Sequence, residues 1–294
     1  MQTEPSVQNK PASPERKIAV YTCITQGYDS LTIPKFIDDR LAYYCFTDNP
    51  RNVMPPWEFV PIGLSGLSPK DQNRYIKMHP HEFLPNHDIT VYVDGNIQIV
   101  GDLYELICTT LNSPEDIFLY QHLRRNCVYA EAAACAHHAL DWIWTIASQM
   151  RRYSKVGYPV GNGLFEANVI IRKNNNLMHR LMVEWWREYC AGAKRDQLSL
   201  TFVAWQLGIP LGSLGESDPR FGQHYFHYVQ HTAVMQRNLI SDIRKSINRT
   251  IASLMTYEKL FGLKKGYISV TNTAEKNPEM SVDCSPCERK TIAK

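Results

Sequence analysis

The run Ile89-Thr90-Val91-Tyr92-Val93 passes without a break into Asp94-Gly95-Asn96, and no other stretch limits the possible folds of this chain as much. Five consecutive apolar or β-branched residues read as a buried strand. The strand stops at an oxygen-bearing triplet, which places Asp94 and Asn96 at the carboxyl edge of a sheet, where open α/β folds take their ligands. The glycine between them allows a tight turn and lets a bulky group come close. Hard oxygen ligands at this spacing suit Mn²⁺ or Mg²⁺, and such a cation in turn suits a diphosphate. Asp-Gly-Asn is also good β-turn chemistry, so the rest of the chain has to decide between a site and a simple strand end.

At 294 residues the chain can bury one substantial core or two small ones, and a 44% hydrophobic, 21% charged composition is ordinary for a globular protein. A formal net charge of +3 with no Arg/Lys-rich block interleaved with aromatics argues against a nucleic-acid partner. The 16 Tyr, 10 Phe and 6 Trp can pack a core or stack on bases and sugar faces. Residues 1–16 are polar and Pro-rich with no apolar core of a secretion signal, and no run of about eighteen apolar residues follows. The expectation is a cytoplasmic protein, with peripheral attachment to the inner face of a membrane as a variant. The eight cysteines then read as reduced thiols, with Cys23, Cys45, Cys108 and Cys127 among apolar neighbours. Cys284 and Cys287 form a lone C-x-x-C with no second ligand pair, read as incidental.

Four regions are expected: a disordered tail over 1–16, one domain over 17–235, a basic amphipathic helix over 236–266 and a flexible tail over 267–294. Within the domain, strands are predicted at 17–25, 41–47, 89–93, 117–120 and 167–172. Helices are predicted at 71–83, 103–110 (N-capped by Asp102), 129–153, 178–190 and 196–207, while 51–69 reads as loop. Alternating strands and helices indicate an α/β sandwich around a mostly parallel central sheet. In 236–266 Leu239, Ile240, Ile243, Ile247, Ile251 and Leu254 keep helical spacing beside Arg244, Lys245 and Arg249. Such a helix either lies on an anionic membrane or packs on its own domain.

Several polar groups cluster at the ends of these elements. Thr22 and Tyr28 at the end of the first strand, with Asp48 after the second, can hold a nucleoside; they are equally compatible with an ordinary strand-to-loop connection. Arg74 and Lys77 are three apart on one helix face and can meet phosphate, or can be solvated surface charge. Glu166 and Asn168 alternate onto one side of a strand, as contacts to sugar hydroxyls would require. Asp196, preceded by Lys194 and Arg195 and followed by Gln197, suits an N-cap. A carboxylate held there also stays ionised, as a general base or an electrostatic stabiliser requires. His224, His227 and His231 lie three and four apart among aromatics. One of them can complete a metal shell, all three can make a zinc site, or they can simply be packed.

Four ordered motifs carry a family resemblance: Val91–Ile99, Arg125-Asn126-Cys127-Val128-Tyr129-Ala130-Glu131-Ala132, Gly163–Arg172 and Lys194–Leu200. Over residues 17–232 the chain resembles the glycosyltransferase-like family catalogued as domain of unknown function 616, found in bacteria and in plant cell-wall proteins. The resemblance implies a GT-A-like nucleotide-binding sandwich and a metal-dependent transferase. It would move a sugar from a nucleoside-diphosphate sugar to a glycan or lipid-linked acceptor in surface polysaccharide synthesis. On that analogy Asp94 and Asn96 take the metal-binding D-x-D role, and His224 or His227 adds a third metal contact. Asp196-Gln197 faces the anomeric carbon or the acceptor, and Glu166 and Asn168 face the sugar. Asp196 is the first candidate for acid/base work and Glu166 the second, with Arg125 and Arg195 as further substrate contacts. The departure is Asn96, where many GT-A enzymes carry Asp; a neutral ligand shifts metal binding toward the donor diphosphate. A non-catalytic sugar-nucleotide or glycan-binding module and a metal-dependent diphosphate hydrolase are the alternatives.

Overall fold

In the computed structural model, residues 16–50, 54–230 and 239–268 are described. Three strands open the fold: β1 (Ile18–Ile24), β2 (Leu41–Thr47) and β3 (Trp57–Pro61). The helices α1 (Pro69–Met78) and α2 (Pro80–Phe83) lead to β4 (Ile89–Val93), the short β5 (Ile97–Ile99) and α3 (Leu103–Leu111). Next come β6 (Ile117–Gln121), α4 (Val128–His137), α5 (Ile143–Lys155), β7 (Phe165–Lys173) and α6 (Asn176–Ala191). A 3-10 turn (Asp196–Leu198), α7 (Leu200–Leu207), β8 (Gly212–Ser213) and β9 (Phe226–Tyr228) complete the domain, and α8 (Leu239–Leu254) and α9 (Tyr257–Phe261) follow.

Seven strands form one sheet in the order β3-β2-β1-β4-β7-β6-β8, and β5 and β9 form a separate ribbon. All neighbours in the large sheet pair parallel except where β7 runs antiparallel between β4 and β6. The expected α/β sandwich with a mostly parallel sheet is therefore what forms. Every residue of β1 and β4 is buried, as continuous apolar strands between two covering layers must be. Alternate residues feed opposite cores. Ala19, Tyr21 and Tyr92 pack with Ile76, Tyr129 and Trp185, while Val20, Val91 and Val93 pack with Leu103, Ile107 and Phe226.

Several boundaries differ from expectation, each for a local reason. The helix predicted over 71–83 is cut at His79, because Pro80 offers no N–H and its ring crowds the preceding turn. The span 129–153 is two helices. Ala139 takes a left-handed φ of 51° between them, and Asn248 fills the break: its Oδ1 accepts from the Ile143 N–H at 3.0 Å, and its Nδ2 donates to the carbonyls of Ala136 at 3.0 Å and Asp141 at 2.9 Å. One amide thus satisfies backbone groups that both helix ends leave open. Edge strand β3 was hidden by Pro55, Pro56 and Pro61, which are tolerated at a sheet margin. The segment 236–266 is two helices, with Thr256 capping the second, and Ile268 beyond them is buried. The expected tail over 1–16 lies outside the described residues up to residue 15, as do residues 236–238 and the tail from 269 onward. Six cysteines, among them Cys23, Cys45, Cys108 and Cys127, are free thiols, as expected; Cys284 and Cys287 are not among the described residues.

Under the sheet, Arg172 is buried with no carboxylate among its described partners. It donates to Thr90 Oγ1 at 3.2 Å, to the Lys77 carbonyl at 2.7 Å and to the Tyr21 hydroxyl, which itself donates to the Lys77 carbonyl at 2.9 Å. The C-terminal turn of α1 is thereby fixed to the sheet.

At the α1–α2 junction His81 stacks on His179 with centroids 4.6 Å apart, and the His79 ring lies 5.5 Å away. Burial, then the neighbouring imidazoles of His179 and His79, push His81 down from 6.5 to about 4. A histidine whose folded value lies below its unfolded one gives stability that is complete above about pH 6.5 and is lost as pH falls toward 4. The melting temperature should therefore fall between pH 7 and pH 4.5. His81→Phe, which keeps the stacked ring, should flatten part of that slope in melts recorded across the interval.

Candidate functional site

Three element ends converge at the carboxyl edge of the sheet. β4 delivers Asp94, α1 delivers Arg74 and Lys77, and the 3-10 turn delivers Asp196. Lys77 is 1% exposed, and its Nζ lies 2.8 Å from Asp196 Oδ2 and 3.5 Å from Asp94 Oδ1. Arg74 Nε pairs with the same Asp196 oxygen at 3.1 Å. Burial alone would raise Asp196, but the cations of Arg74, Lys77 and Arg195 outweigh it and hold the carboxyl far below the usual carboxylate range. Asp196 is a fixed negative charge with very low proton affinity. This geometry supports the electrostatic reading of Asp196 and not the acid/base one. It is not the N-cap either: Arg195 holds that position and Asp196 is the first residue of the turn. Lys77 is accordingly a buried counter-charge and Arg74 a half-buried one, not solvated surface groups.

The triplet itself is tightly held. The Ile97 N–H reaches back to the Asp94 carbonyl at 3.0 Å, and the Val229 N–H donates to the Asn96 carbonyl at 2.8 Å. A Cβ at Gly95 would sit 2.8 Å from Ile24 Cγ1 and 3.0 Å from Asp29 Oδ2, so only glycine fits beneath the loop that follows β1. Asp94 is 28% exposed, open to a ligand yet rigid.

A second polar group adjoins this one, joined through the Asp94 N–H, which donates to the Asn168 carbonyl at 2.8 Å. Glu166 and Asn168 do share one side of β7. Asn168 Nδ2 donates to Glu166 Oε2 at 2.9 Å and to the Tyr228 hydroxyl at 2.7 Å. Glu166 also accepts from Ser217 Oγ at 2.8 Å and from Arg220 Nε at 3.0 Å, and the Arg220 guanidinium lies 4.8 Å from the Tyr228 ring centre. Asp218 sets the position of this corner by accepting the backbone N–H groups of His224, Tyr225 and Phe226, each at 2.9 Å. Ser217, Asp218, Arg220 and Tyr228 were missed from sequence; the only signal was the turn composition of Ser217-Asp218-Pro219.

The remaining candidates divide. Thr22 is buried with an unpartnered hydroxyl, and Tyr28 is exposed on the loop above Ile24. Both oxygens of Asp48 accept the Gln26 N–H, at 2.9 and 3.0 Å, where Gln26 and Gly27 turn with positive φ. Asp48 thus shapes the first loop. Arg125 Nε is taken by Glu131 Oε2 at 2.6 Å, beside His122 Nε2 at 3.5 Å from that oxygen. Arg195 is near Cys135, Asp196 and Glu131 with its buried Nε unpartnered. Gln197 donates its backbone N–H to Asp196 Oδ1 at 3.2 Å.

The histidines do not take the expected place. His227 stands opposite Gln98 on the β5–β9 ribbon and contacts Gln223 Oε1 through Nδ1 at 2.9 Å. Alternation along β9 points it away from the face that carries Phe226 and Tyr228. His224 is exposed, and its backbone is engaged with Asp218 and packed on Gly101. Among the described residues no three His, Cys, Asp or Glu side chains gather as a metal shell. His231 lies outside those residues. What remains, one carboxylate and one amide on a rigid, partly open edge, fits a hard divalent cation of the kind that takes one or two protein oxygens and completes its shell with substrate phosphate and water.

Residues 57–236 match the family model of the TOD1/MUCI70 glycosyltransferase-like domain, and the chain belongs to that family. Arabidopsis thaliana has a relative described as a probable hexosyltransferase, MUCI70, 21% identical over 215 residues; the match covers 64% of this chain but only 37% of the relative, so this chain spans little more than a third of that protein's length. Among solved structures, mouse xyloside xylosyltransferase 1 in its apo form aligns with a TM-score of 0.43 and 12% identity, covering 68% of this chain and 84% of that one.

Removing one partner of a buried ion pair strands the other, at about 3–5 kcal/mol. Lys77→Met should cost a substantial part of that in urea unfolding. A Lys77→Met/Asp196→Asn double variant should lose clearly less than the sum of the singles, since it strands no Asp196 charge.

Proposed function

We propose that this chain is a metal-assisted glycosyltransferase that moves a sugar from a nucleoside-diphosphate donor to a hydroxyl of a glycan or lipid-linked acceptor. The observation that carries the reading is the ammonium of Lys77 shared between Asp94, at the strand edge, and Asp196, on the 3-10 turn. Family membership supports the reaction class. The acceptor, the donor sugar and a role in surface polysaccharide synthesis belong to this proposal.

Asp94 and Asn96 would hold Mn²⁺ or Mg²⁺. When bound, that cation supplies Lewis-acid stabilisation of the departing diphosphate. Arg74 and Lys77, beside Asp94 and Asp196, add positive charge where a diphosphate leaving group gathers negative charge. Glu166, Asn168 and Tyr228 present oriented acceptors and donors to sugar hydroxyls, with Ser217 and Arg220 fixing the Glu166 rotamer. Asp196, ionised and immobile, stabilises positive charge developing on the sugar. Tyr28 lines the nucleoside end, beside the loop held by Asp48, while Thr22 lies buried beneath it in β1.

A ligand that binds only the folded state stabilises it by about 2.7 kcal/mol at a hundredfold excess over Kd. Nucleoside diphosphate with Mn²⁺ should accordingly raise the melting temperature of the wild type by several degrees. Asp94→Asn should abolish the metal-dependent part of that rise. In turnover assays with a panel of sugar nucleotides, the same substitution should lower kcat/KM by about 10²-fold or more. Release of free sugar with no glycoside formed would favour a diphosphate hydrolase. Donor binding without any turnover across a broad acceptor panel would favour a binding module.

A further inference from the structure

The helix α8 is fixed to the domain by the buried Asn248, yet it leaves a long apolar stripe uncovered. Among the described residues Leu239 is 74% exposed, Ile243 44% and Leu254 76%, on the same side of the helix. Because Asn248 is bound to Ile143, Ala136 and Asp141, the helix cannot roll to bury that stripe. The same contact point is flanked by Leu140 and by Trp144, which is 51% exposed and stacks on Trp142 at 4.6 Å. Exposed apolar groups gathered on one helix face mark an interaction surface.

Charge identifies the partner. Between residues 239 and 268, Arg244, Lys245, Arg249, Lys259, Lys264 and Lys265 face only Asp242 and Glu258, whereas the entire chain carries a net charge of +3. The positive charge is thus concentrated on α8, α9 and the residues just after them, and the rest of the chain is close to neutral. A second copy of this segment would bring like charges together. A surface of anionic lipid headgroups would attract them and accept the apolar side chains and the Trp144 indole at the boundary with the acyl chains. At 16 residues α8 is about 24 Å long and rich in charge, so it suits lying in the interface. Among the described residues no helix is long and apolar enough to cross a membrane.

We propose that α8 docks the domain on an anionic membrane surface, with Leu239, Ile243 and Leu254 entering the headgroup region and the segment's Arg and Lys side chains drawn toward the lipid phosphates. The sugar-transfer reading is not needed for this inference. It rests on residues outside the candidate site.

The test is sedimentation of the full chain with vesicles of phosphatidylcholine alone or mixed with phosphatidylglycerol. The chain should bind the mixed vesicles and not the neutral ones, and binding should weaken as salt is raised. Ile243→Glu/Leu254→Glu, exposed positions whose change should leave the melting temperature intact, should reduce binding by about tenfold or more. Lys245→Glu/Arg249→Glu should do the same. Equal binding to neutral vesicles would overturn the proposal, as would binding unaffected by the Ile243/Leu254 substitutions. Two other occupants would overturn it as well. A dimer in light scattering that Ile243→Glu dissociates would assign the stripe to a second copy. A chain ending at residue 268 that binds vesicles several-fold better than the full chain would assign it to this chain's own C-terminal segment.

Discussion

A lysine ammonium with almost no access to water governs the architecture around the cleft. Burying the Nζ of Lys77 is tolerable only if carboxylate oxygens replace the lost hydration, and the chain supplies two from distant places: Asp94 at the end of β4 and Asp196 on the 3-10 turn, 119 residues from Lys77. Three elements must therefore arrive together or the charge is stranded. Such pairs add little net stability over a well-packed apolar core, but breaking one is costly. Arg172 supports the arrangement from beneath. With Tyr21 it saturates the Lys77 carbonyl, so the lysine's backbone is tied to the sheet while its side chain reaches Asp94 and Asp196.

The far lip is built differently. No buried cation organises it; Asp218 does, by accepting three consecutive backbone N–H groups and so bending the chain to bring Tyr228 over Asn168. The two lips meet at one backbone bond, from Asp94 to Asn168, at the junction of β4 and β7. Because β7 is the antiparallel strand, its N-terminal end lies beside the C-terminal end of β4. That reversal puts Glu166 and Asn168 at the binding edge; a parallel strand in the same slot would present its other end.

Much of this was legible. β1, β2 and β4 stand where their unbroken apolar runs put them, because burial on both faces leaves a signal that local context cannot mask. Asp102 caps α3 as expected. The alternation argument for Glu166 and Asn168 held because it uses only the period of a strand. The same period, applied to β9, would have separated His227 from Tyr228, but a three-residue strand has too little pattern to be recognised. The break between α4 and α5 could not be read from its own Ala-rich sequence, since what satisfies the helix ends is Asn248, more than a hundred residues later. Nor could the sequence tell that Arg74 and Lys77 face inward. Helical spacing places two cations on one face, but only the fold shows that the face meets Asp196.

The limits of the family match sharpen the division of labour. It begins at β3 and ends just beyond β9, so it includes Arg74, Lys77, Asp94, Glu166, Asn168, Asp196, Arg220 and Tyr228, while β1, β2 and α8 lie outside. The residues that would manage charge at a diphosphate and a sugar are thus all within the matched stretch. The loop after β1, pressed on Gly95 and held by Asp48, and the basic helix pinned by Asn248 lie outside that stretch. Chemistry and placement are separable in such a design. A charge network that must stay rigid sits between buried strands, and α8 joins the domain away from it, through Asn248 and through Ile251 and Ala252 packed on the core.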